Sequence, residues 1–266
     1  MLHFVSLSSG SNGNSYYFGN EKYGIVVDAG IGARTIKKRL KSCQIEISTI
    51  VAIFVTHDHA DHIKGIGCLS EEYHIPVYST RKILFGANRN YKLSPKVSVA
   101  NMREMQIGIP VNVYDFQVEC FPVSHDATES VGYSIKTQEM HIVVATDLGY
   151  IDSISAKYMR EATHLIVESN YDEEMLKNGP YTHVLKERIR GNRGHLSNVE
   201  TASFVAKNYQ LHLQKVFLCH LSEQNNLPEL ATKTLVDAFH ANSVEVGVDV
   251  KVVSLPRTTT YYDVFE

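Results

Sequence analysis

The sequence predicts an α/β protein in which β-sheets are covered by helices. Short apolar runs bounded by turn residues recur along the chain, and the first half and the middle consist mainly of strand-like runs. The last part alternates strand-like and helix-like segments, as β/α units do. No low-complexity linker, block of charge or repeat divides the 266 residues, so we predict a single domain over residues 1–266.

The elements are predicted in chain order from these runs. In the first half we expect a helix over residues 33–41, where Ile36 and Leu40 fall on one face. A later helix begins after Ser197, because Ser197 and Glu200 form an S-x-x-E capping box. The predicted strands cover residues 2–7, 16–19, 25–27, 50–55, 111–114, 117–123, 131–136, 141–145, 164–167, 216–218 and 250–253. The helix after Ser197 covers residues 198–208. Another helix covers residues 229–241, and one more begins near residue 62 and ends near Tyr73.

Charge and hydropathy exclude several classes of protein. With 29 acidic and 26 basic residues the net charge is −3, which excludes a basic coat over the whole surface but not a local basic patch. No apolar run approaches the roughly 20 residues of a membrane helix, and the first residues lack the features of a signal peptide. The four cysteines form no CxxC pair, which indicates reduced thiols. We therefore predict a cytoplasmic protein that has no membrane partner.

The 13 histidines, in a chain without tryptophan, are concentrated in one segment. Residues 56–62 read THDHADH directly after the predicted strand over residues 50–55. In an extended loop, His57 and His59 project to the same side. Asp61 and His62 follow where the chain turns into a helix, so they point toward a neighbouring position, which favours two adjacent cations over one. The alternative, a solvated polar loop, would crowd ionisable groups together without compensation.

Three later residues also stand just after an apolar strand. They are His125 after residues 121–123, Asp147 after residues 142–145, and His220 after residues 216–219. Each of them alone is more typical of an ordinary buried or surface residue. Together with the first segment they complete a set of metal ligands. A shell of nitrogen and oxygen donors without thiolate fits Zn²⁺, and it also fits Mn²⁺ or Fe²⁺.

In this order the ligands and Asp28 resemble the metallo-β-lactamase superfamily, for which the HxHxDH motif of residues 57–62 is specific. The resemblance covers nearly the whole chain and implies a four-layer αββα sandwich with two divalent metal ions at one sheet edge. It implies that Asp28 orients a ligand or a loop, although a turn residue at a strand end is the alternative role. The implied ligands are His57, His59 and His125 for the first metal, Asp61, His62 and His220 for the second, and Asp147 for both.

Two cations held in this way can share a hydroxide, whose pKa falls from about 15.7 in bulk water to about 7 on zinc. This hydroxide is the expected nucleophile at neutral pH, and the second cation stabilises the charge on the attacked group. Asp61, one of the implied metal ligands, is also an expected catalytic residue.

Further motifs distinguish the chain from true β-lactamases, which commonly carry a cysteine where Asp147 stands and lack His62. Residues 194–198 (GHLSN), 219–226 (CHLSEQNN) and 9–15 (SGSNGNS) resemble the YycJ (WalJ) family of bacterial metallo-hydrolases. That resemblance implies a 5′-to-3′ exonuclease acting on DNA. The similarity to the tRNA-processing nuclease RNase Z is more distant, since its projecting arm is not evident here, and the chain is too short for the inserted domain of β-CASP nucleases.

By the same resemblance His195 is the general acid for the leaving group, and Glu168 is its partner. In RNase Z a histidine precedes this glutamate, whereas Val167 occupies that position here. The alternative role of His195 is that of a histidine in a capping loop.

Phosphate binding is predicted for polar residues near His195 and in the opening loop, with a solvated basic face and a tight turn as the alternatives. These residues are Ser11, Asn14, Lys186, Arg190, Arg193 and Asn198, and Arg188 belongs to the same basic run.

The sequence thus predicts a dinuclear metal-dependent phosphodiesterase, a YycJ-type exonuclease with DNA favoured over RNA as its substrate. One alternative is a small-molecule hydrolase acting on a thioester, a lactone or a cyclic phosphodiester. The other is a non-catalytic regulatory scaffold that binds metal. The native metal, the strandedness of the substrate, the polarity of cleavage, the oligomeric state and the pathway stay open.

Overall fold

The β-strands of the chain form two mixed sheets, and helices flank these sheets. The structure, a computed structural model, describes residues 1–265. The residues group into two compact units, one of residues 1–113, 127–130 and 256 onward, and the other of residues 114–126 and 131–255. The predicted α/β class is confirmed. No helix within residues 1–265 is both long and apolar enough to cross a membrane.

The helices and strands follow one another along the chain as follows. They are β1 (Leu2–Gly10), β2 (Gly13–Gly19), β3 (Gly24–Val27), α1 (Ala33–Ser42), β4 (Ile50–Phe54), α2 (Ala60–Ile63), α3 (Ile66–Tyr73), β5 (Val77–Ser79), α4 (Arg81–Arg89), β6 (Met102–Glu104), β7 (Val111–Val113), β8 (Phe116–Pro122), β9 (Val131–Lys136), β10 (His141–Ala145), α5 (Ser153–Glu161), β11 (His164–Glu168), α6 (Glu173–Asn178), α7 (His183–Arg190), α8 (Asn198–Lys207), β12 (Lys215–Cys219), α9 (Pro228–Ala241), β13 (Lys251–Ser254) and β14 (Tyr261–Phe265). Short 3₁₀ turns cover Ile47–Thr49 and Val99–Asn101.

In the first unit the sheet has the order β14-β1-β2-β3-β4-β5-β6. Strands β14 to β3 pair antiparallel, and strands β3 to β6 pair parallel. The buried rings of Phe18 and Phe265 stack on Phe4, with centroid distances of 5.2 and 5.3 Å, which holds the last strand of the chain beside the first. Because β3 and β4 are parallel, Asp28 and residues 56–62 follow them at the same edge of this sheet.

In the second unit the sheet contains the order β13-β12-β11-β10-β9-β8. Strands β8 to β10 pair antiparallel, and strands β10 to β13 pair parallel. Leu235 and Phe239 of α9 belong to the same buried cluster as Val143 and Leu165 of the sheet. The carboxyl ends of β10, β11 and β12 lie at one edge, where polar residues follow each strand.

The observed elements agree with most of the predicted ones and differ in identifiable places. The helix predicted to end near Tyr73 does end there, but it is divided into α2 and α3 at Gly65. The Gly65 N–H donates to the Ala29 carbonyl at 2.7 Å, and a Cβ on Gly65 would lie 2.4 Å from the Ile31 oxygen. Strands β5, β6 and β14 and helices α4, α5, α6 and α7 were not predicted. Strands β5 and β6 have three residues each, which is too short to show an alternating pattern.

Candidate active site

Three polar residues at the carboxyl ends of strands have left-handed backbone conformations. The φ angle is 57° at Asp28 after β3, 57° at Asp147 after β10, and 54° at His220 after β12. Residues other than glycine rarely adopt this region, and holding one there costs about 1–3 kcal/mol. Such conformations concentrate at functional sites, and all three residues belong to the predicted site.

The loop after β4 brings three imidazole rings of the first unit together. The ring centroids of His57 and His59 are 4.7 Å apart, and those of His57 and His62 are 4.0 Å apart. Both His57 and His62 are buried. Three imidazole rings this close together offer several nitrogen atoms to one small region, and imidazole nitrogen is a common metal ligand.

Asp28 fixes the orientation of His62. The Nδ1 atom of His62 lies 2.7 Å from Asp28 Oδ2, and the Asp28 carboxylate also accepts from the amide N–H (2.8 Å) and the hydroxyl (2.7 Å) of Thr56. Burial raises the pKa of Asp28, while His62 and Thr56 act in the opposite direction. With Nδ1 directed at a carboxylate, Nε2 is the nitrogen of His62 that a metal would use. The contact has the geometry expected of a residue that orients a ligand, and Asp28 also has the turn conformation of its alternative role.

Asn14, predicted to bind phosphate, is buried beside His62 instead. Its Nδ2 lies 3.0 Å from His62 Nε2 and 3.2 Å from the Gly10 carbonyl oxygen. The Asn14 amide thus contacts His62, while phosphate binding by Asn14 stays a prediction. Ser11 is exposed in the turn between β1 and β2. Asp61 is partly exposed, and its Oδ2 lies 3.6 Å from His62 Nε2.

Asp58, the second residue of the HxHxDH motif, connects the loop to α4 within the first unit. The side chain of Asn90 donates to the Asp58 carbonyl at 2.8 Å, and the Thr128 amide and hydroxyl donate to the Asp58 carboxylate. Gly86 of α4 packs so closely that a Cβ there would lie 2.3 Å from Asp58 Oδ2. The loop with His57 and His59 is therefore held against α4.

In the second unit, Glu168 at the end of β11 is the centre of a buried hydrogen-bonded group. Its Oε1 lies 2.8 Å from the Nδ1 atoms of both His195 and His220. Its Oε2 accepts from the backbone N–H groups of Leu148 (2.9 Å) and Leu196 (3.2 Å). Burial raises the pKa of Glu168, but the charge and hydrogen bond of His195 and the hydrogen bond of His220 lower it by more. The carboxylate is thus ionised and uses both oxygens to place two histidines.

His195 is half-buried and has Glu168 as its partner, the pairing predicted from the sequence. Burial lowers the pKa of His195, whereas the negative charge of Glu168 and its hydrogen bond raise it by more. The raised pKa increases the fraction of imidazolium near neutral pH. Because Nδ1 is directed at Glu168, Nε2 is the nitrogen that could donate a proton to a leaving group.

Asp147 lies among the histidines of the second unit. Its Oδ1 is 3.3 Å from His220 Nδ1 and 3.7 Å from both His125 Nε2 and His195 Nδ1. Its Oδ2 accepts from the Thr146 hydroxyl at 2.7 Å. Within this unit the side chains of Asp147, Glu168, His195 and His220 each offer a ligand atom, and these atoms lie within 4.8 Å of one another.

The donor atoms of both units fit divalent metal ions. The Nδ1 atom faces a carboxylate in His62 and His220 and the Gly194 carbonyl in His125, at 2.7, 2.8 and 3.0 Å. Histidines that bind metals usually direct their other ring nitrogen at such an oxygen, which fixes the tautomer. The set of imidazole and carboxylate donors, without thiolate, suits Zn²⁺, Mn²⁺ or Fe²⁺.

Several residues of the basic run before His195 already have hydrogen-bond or ion-pair partners within the second unit. Arg193 donates from Nε and Nη2 to the His125 carbonyl at 3.2 and 3.1 Å, and Arg188 pairs with Asp126 at 2.6 Å. Lys186 Nζ donates to the Lys177 carbonyl at 2.8 Å, and Arg190 is exposed. Two arginines of the run therefore hold the loop that carries His125, while phosphate binding by Lys186, Arg190 and Arg193 stays a prediction.

Asn198, also predicted to bind phosphate, is buried in an amide pair. Its Nδ2 donates to Asn226 Oδ1 at 2.9 Å, and Asn226 Nδ2 donates back to Asn198 Oδ1 at 2.8 Å. Asn226 also donates to the carbonyls of Ser169 (2.8 Å) and Asn170 (3.1 Å) directly after Glu168. The Asn198 amide thus holds Asn226, which supports the chain that follows Glu168, while phosphate binding by Asn198 stays a prediction.

Two other residues near the site were not predicted from the sequence. Asn170 donates to the His220 carbonyl at 2.8 Å, and its position two residues after Glu168 is the only indication that the sequence offers. Gly149 packs against the segment before His195, since a Cβ on Gly149 would lie 2.2 Å from the carbonyl carbon and oxygen of Asn192.

The chain is similar to several known proteins. The beta-lactamase superfamily domain matches residues 23–220. The chain is 35% identical to the exodeoxyribonuclease WalJ of Streptococcus pneumoniae over 255 residues, which cover 96% of the chain and 94% of that protein. It is 33% identical to the exodeoxyribonuclease YycJ of Bacillus anthracis over 246 residues, 92% of each protein.

Solved structures share the fold. YhfI from Bacillus subtilis, a metallo-beta-lactamase fold protein, has a TM-score of 0.71 at 17% identity and covers 98% of this chain and 99% of its own. The short form of human tRNase Z has a TM-score of 0.63 at 18% identity, with 98% of each chain covered. At these identities the two structures show the fold alone.

Proposed function

Because the chain belongs to the metallo-β-lactamase superfamily, in the family of the exodeoxyribonucleases WalJ and YycJ, we propose that it is a metal-dependent exonuclease that hydrolyses DNA from the 5′ end. The family resemblance found in the sequence is thereby confirmed. The proposed substrate is the one for which the two relatives are named, and the proposed acid and metal ligands are groups that phosphodiester hydrolysis uses. DNA as substrate agrees with the cytoplasmic location predicted from the sequence.

One contact supports this function most directly. Glu168 Oε1 lies 2.8 Å from Nδ1 of both His195 and His220, so one carboxylate positions the proposed acid and a proposed metal ligand. A departing sugar oxygen needs a proton, and His195, whose pKa Glu168 raises, can donate it from Nε2. The buried amide pair of Asn198 and Asn226 holds the chain after Glu168 and so keeps this geometry.

The metal ligands proposed from the sequence carry over as part of this function. They are His57, His59, Asp61, His62, His125, Asp147 and His220, and we propose two divalent ions, Zn²⁺ or Mn²⁺, with Fe²⁺ also fitting. When bound, such ions supply a nucleophilic water at neutral pH and neutralise charge on the attacked phosphate. The protein orients the ligands, since Asp28 directs His62 and the Gly194 carbonyl directs His125.

The activity is tested on the full chain, analysed for metal and supplied with Mn²⁺ or Zn²⁺ separately. The substrates are single- and double-stranded DNA and RNA labelled at the 5′ or the 3′ end. We expect nucleotides to be released from the 5′ end of DNA. Hydrolysis of a thioester or a lactone without any cleavage of DNA would contradict the proposal and favour a small-molecule hydrolase.

Two substitutions test the assigned roles. His195→Ala should slow cleavage by roughly 10²–10⁴ and leave the metal content unchanged, because only the proton donor is lost. Asp147→Asn should lower the metal content and abolish nearly all activity, because a ligand proposed for both ions is changed. A wild-type rate in the first variant removes His195 from the mechanism. Wild-type metal content and turnover in the second would make the dinuclear assignment wrong.

A further inference from the structure

A second basic segment, remote in sequence from the run before His195, lies in the first unit. Between residues 81 and 103 the chain contains no aspartate or glutamate, although its overall net charge is −3. The basic residues of this segment are Arg81, Lys82, Arg89, Lys92, Lys96 and Arg103. A local concentration of positive charge in an acidic chain indicates attraction to an anionic partner.

Helix α4 has two distinct faces. Its buried residues are Ile83, Leu84, Gly86 and Ala87. Its exposed face carries Arg81, Phe85 and Arg89, which are four residues apart and therefore neighbours along the helix. Phe85 is 39% exposed, and Tyr91, just beyond the helix, is 82% exposed. The Arg81 guanidinium carbon lies 5.4 Å from the centre of the Phe85 ring, so each of the two exposed rings has a cation beside it.

Some of these cations already have acidic partners. Arg81 lies 3.7 Å from Glu104, and Lys82 lies 2.9 Å from Glu129, both as surface ion pairs. Lys96 donates to the Asn90 carbonyl at 2.6 Å.

Two cations of the segment are not paired in this way. Arg89 and Lys92 form no ion pair with any of residues 1–265, and Lys92 Nζ lies 4.9 Å from the centre of the Tyr91 ring. We call Phe85, Arg89, Tyr91 and Lys92 the α4 surface.

The α4 surface is connected directly to the HxHxDH loop. Asn90, between Arg89 and Tyr91, donates its side-chain N–H to the Asp58 carbonyl at 2.8 Å, and Gly86 packs on the Asp58 carboxylate. Asp58 stands between His57 and His59 in the sequence. A polyanion that reaches this loop is therefore also within reach of the α4 surface.

We propose that the α4 surface binds single-stranded DNA, with Arg89 and Lys92 contacting phosphates and Phe85 and Tyr91 stacking on bases. Proteins that hold single strands combine cations along the backbone with aromatic rings under the bases. A duplex fits less well, because its bases are already stacked on one another. The inference rests on the proposed function, since it assigns the surface to the strand whose phosphodiester is hydrolysed.

The test is binding of an oligothymidylate of about 20 nucleotides, long enough to span one site. Its linkages are phosphorothioates to prevent cleavage, and binding to the full chain is followed by fluorescence anisotropy at several salt concentrations. The variants are Arg89→Ala with Lys92→Ala, and Phe85→Ala with Tyr91→Ala. Lys38→Ala with Lys41→Ala is the matched control, because both lysines are exposed on α1 of the same unit.

The two variant pairs should weaken binding in different ways. Loss of Arg89 and Lys92 should raise Kd about tenfold and reduce the slope of log Kd against log salt by about 1.4, since each phosphate contact on a single strand contributes about 0.7. Loss of Phe85 and Tyr91 should raise Kd about tenfold or more without changing that slope, because stacking releases no counterions. The control pair should bind as the wild type does.

Two outcomes would overturn the proposal. One is a Kd and a salt slope for the Arg89 and Lys92 variant that equal those of the control pair. The other is tighter binding of a blunt duplex than of the oligothymidylate, with no effect of the substitutions at Phe85 and Tyr91.

Hydrolysis of bis(p-nitrophenyl) phosphate, measured on the same proteins, should be unchanged by both variants. If the wild type does not hydrolyse this compound, the proposed phosphodiesterase activity is contradicted, and the binding of the oligothymidylate then tests the α4 surface by itself.

Discussion

Removing the Arg193 side chain should weaken metal binding rather than DNA binding. In the structure both donors of its guanidinium edge, Nε and Nη2, point at the His125 carbonyl at 3.2 and 3.1 Å. The adjacent Gly194 carbonyl accepts from His125 Nδ1 at 3.0 Å, and the Ser124 hydroxyl donates to the Asn192 carbonyl at 2.7 Å. The segment before His195 therefore holds the loop of His125 at several points, and both Arg193 and Arg188 supply charged groups to this contact.

The expected size of the effect follows from this geometry. Residues that orient a metal ligand typically contribute 10- to 100-fold to metal affinity. Because Arg193 is exposed and water can replace part of its contact, we expect the lower end, about tenfold, for Arg193→Ala. Arg193→Lys should recover only part of the affinity, since an ammonium group cannot reproduce two parallel N–H donors.

The assay separates this role from phosphate binding. Mn²⁺ affinity is measured by competition with a chromophoric chelator, and KM for labelled DNA is measured at several salt concentrations. We expect weaker Mn²⁺ binding, a lower kcat, and a KM and salt dependence like those of the wild type. Lys186→Ala is the control, because Lys186 belongs to the same basic run but donates to the Lys177 carbonyl. Unchanged Mn²⁺ affinity combined with a raised KM and a salt slope reduced by about 0.7 would refute the reasoning and make Arg193 a phosphate ligand.

Two further predictions concern stability. Gly149→Ala should lower the free energy of unfolding by about 1–3 kcal/mol, because the new Cβ would lie 2.2 Å from the Asn192 backbone. Urea unfolding measures this difference, and a variant as stable as the wild type would contradict the close packing. Burial and, to a smaller extent, the positive charge of Lys136 lower the pKa of His141 from 6.5 to about 4. Between pH 6.5 and about 4 the unfolded chain therefore binds a proton that the folded chain does not. Wild-type stability should therefore fall as pH decreases through that window, and His141→Gln should reduce the fall by about 1–2 kcal/mol, allowing for partial exposure. Parallel pH curves for the two proteins would contradict this.

Much of the candidate site could be predicted because its chemistry is local in the sequence. His57, His59 and His62 lie within six consecutive residues, in the loop after β4 and the first turn of α2, and β4 is apolar enough to recognise as a strand. Asp147 and His220 stand after strands that prove to be parallel to β11, so all three strands end at one edge of the second sheet. Where a motif and a strand end coincide, sequence is enough to nominate a ligand.

The roles of several polar residues were decided by contacts between distant parts of the chain. Asn14 lies beside His62, 48 residues away, and Arg193 holds the carbonyl of His125, 68 residues away. Phosphate binding by both residues stays a prediction, and neither contact could be read from the sequence, because an amide or a guanidinium in a loop looks the same in sequence whether it is buried or exposed. The α4 surface shows the same limit, since its charges are visible in the sequence but its attachment to Asp58 is not.

The sequence by itself determined the fold class, the family and the residue types of the site, because the period of apolar residues and the spacing of ligands are properties of neighbouring positions. Only the tertiary structure decided which polar side chains are exposed and which support another residue. That choice depends on whether a side chain finds a buried partner, such as Asn226 for Asn198, and a buried polar group without a partner is costly. Such partners are brought together by folding and not by their order in the chain.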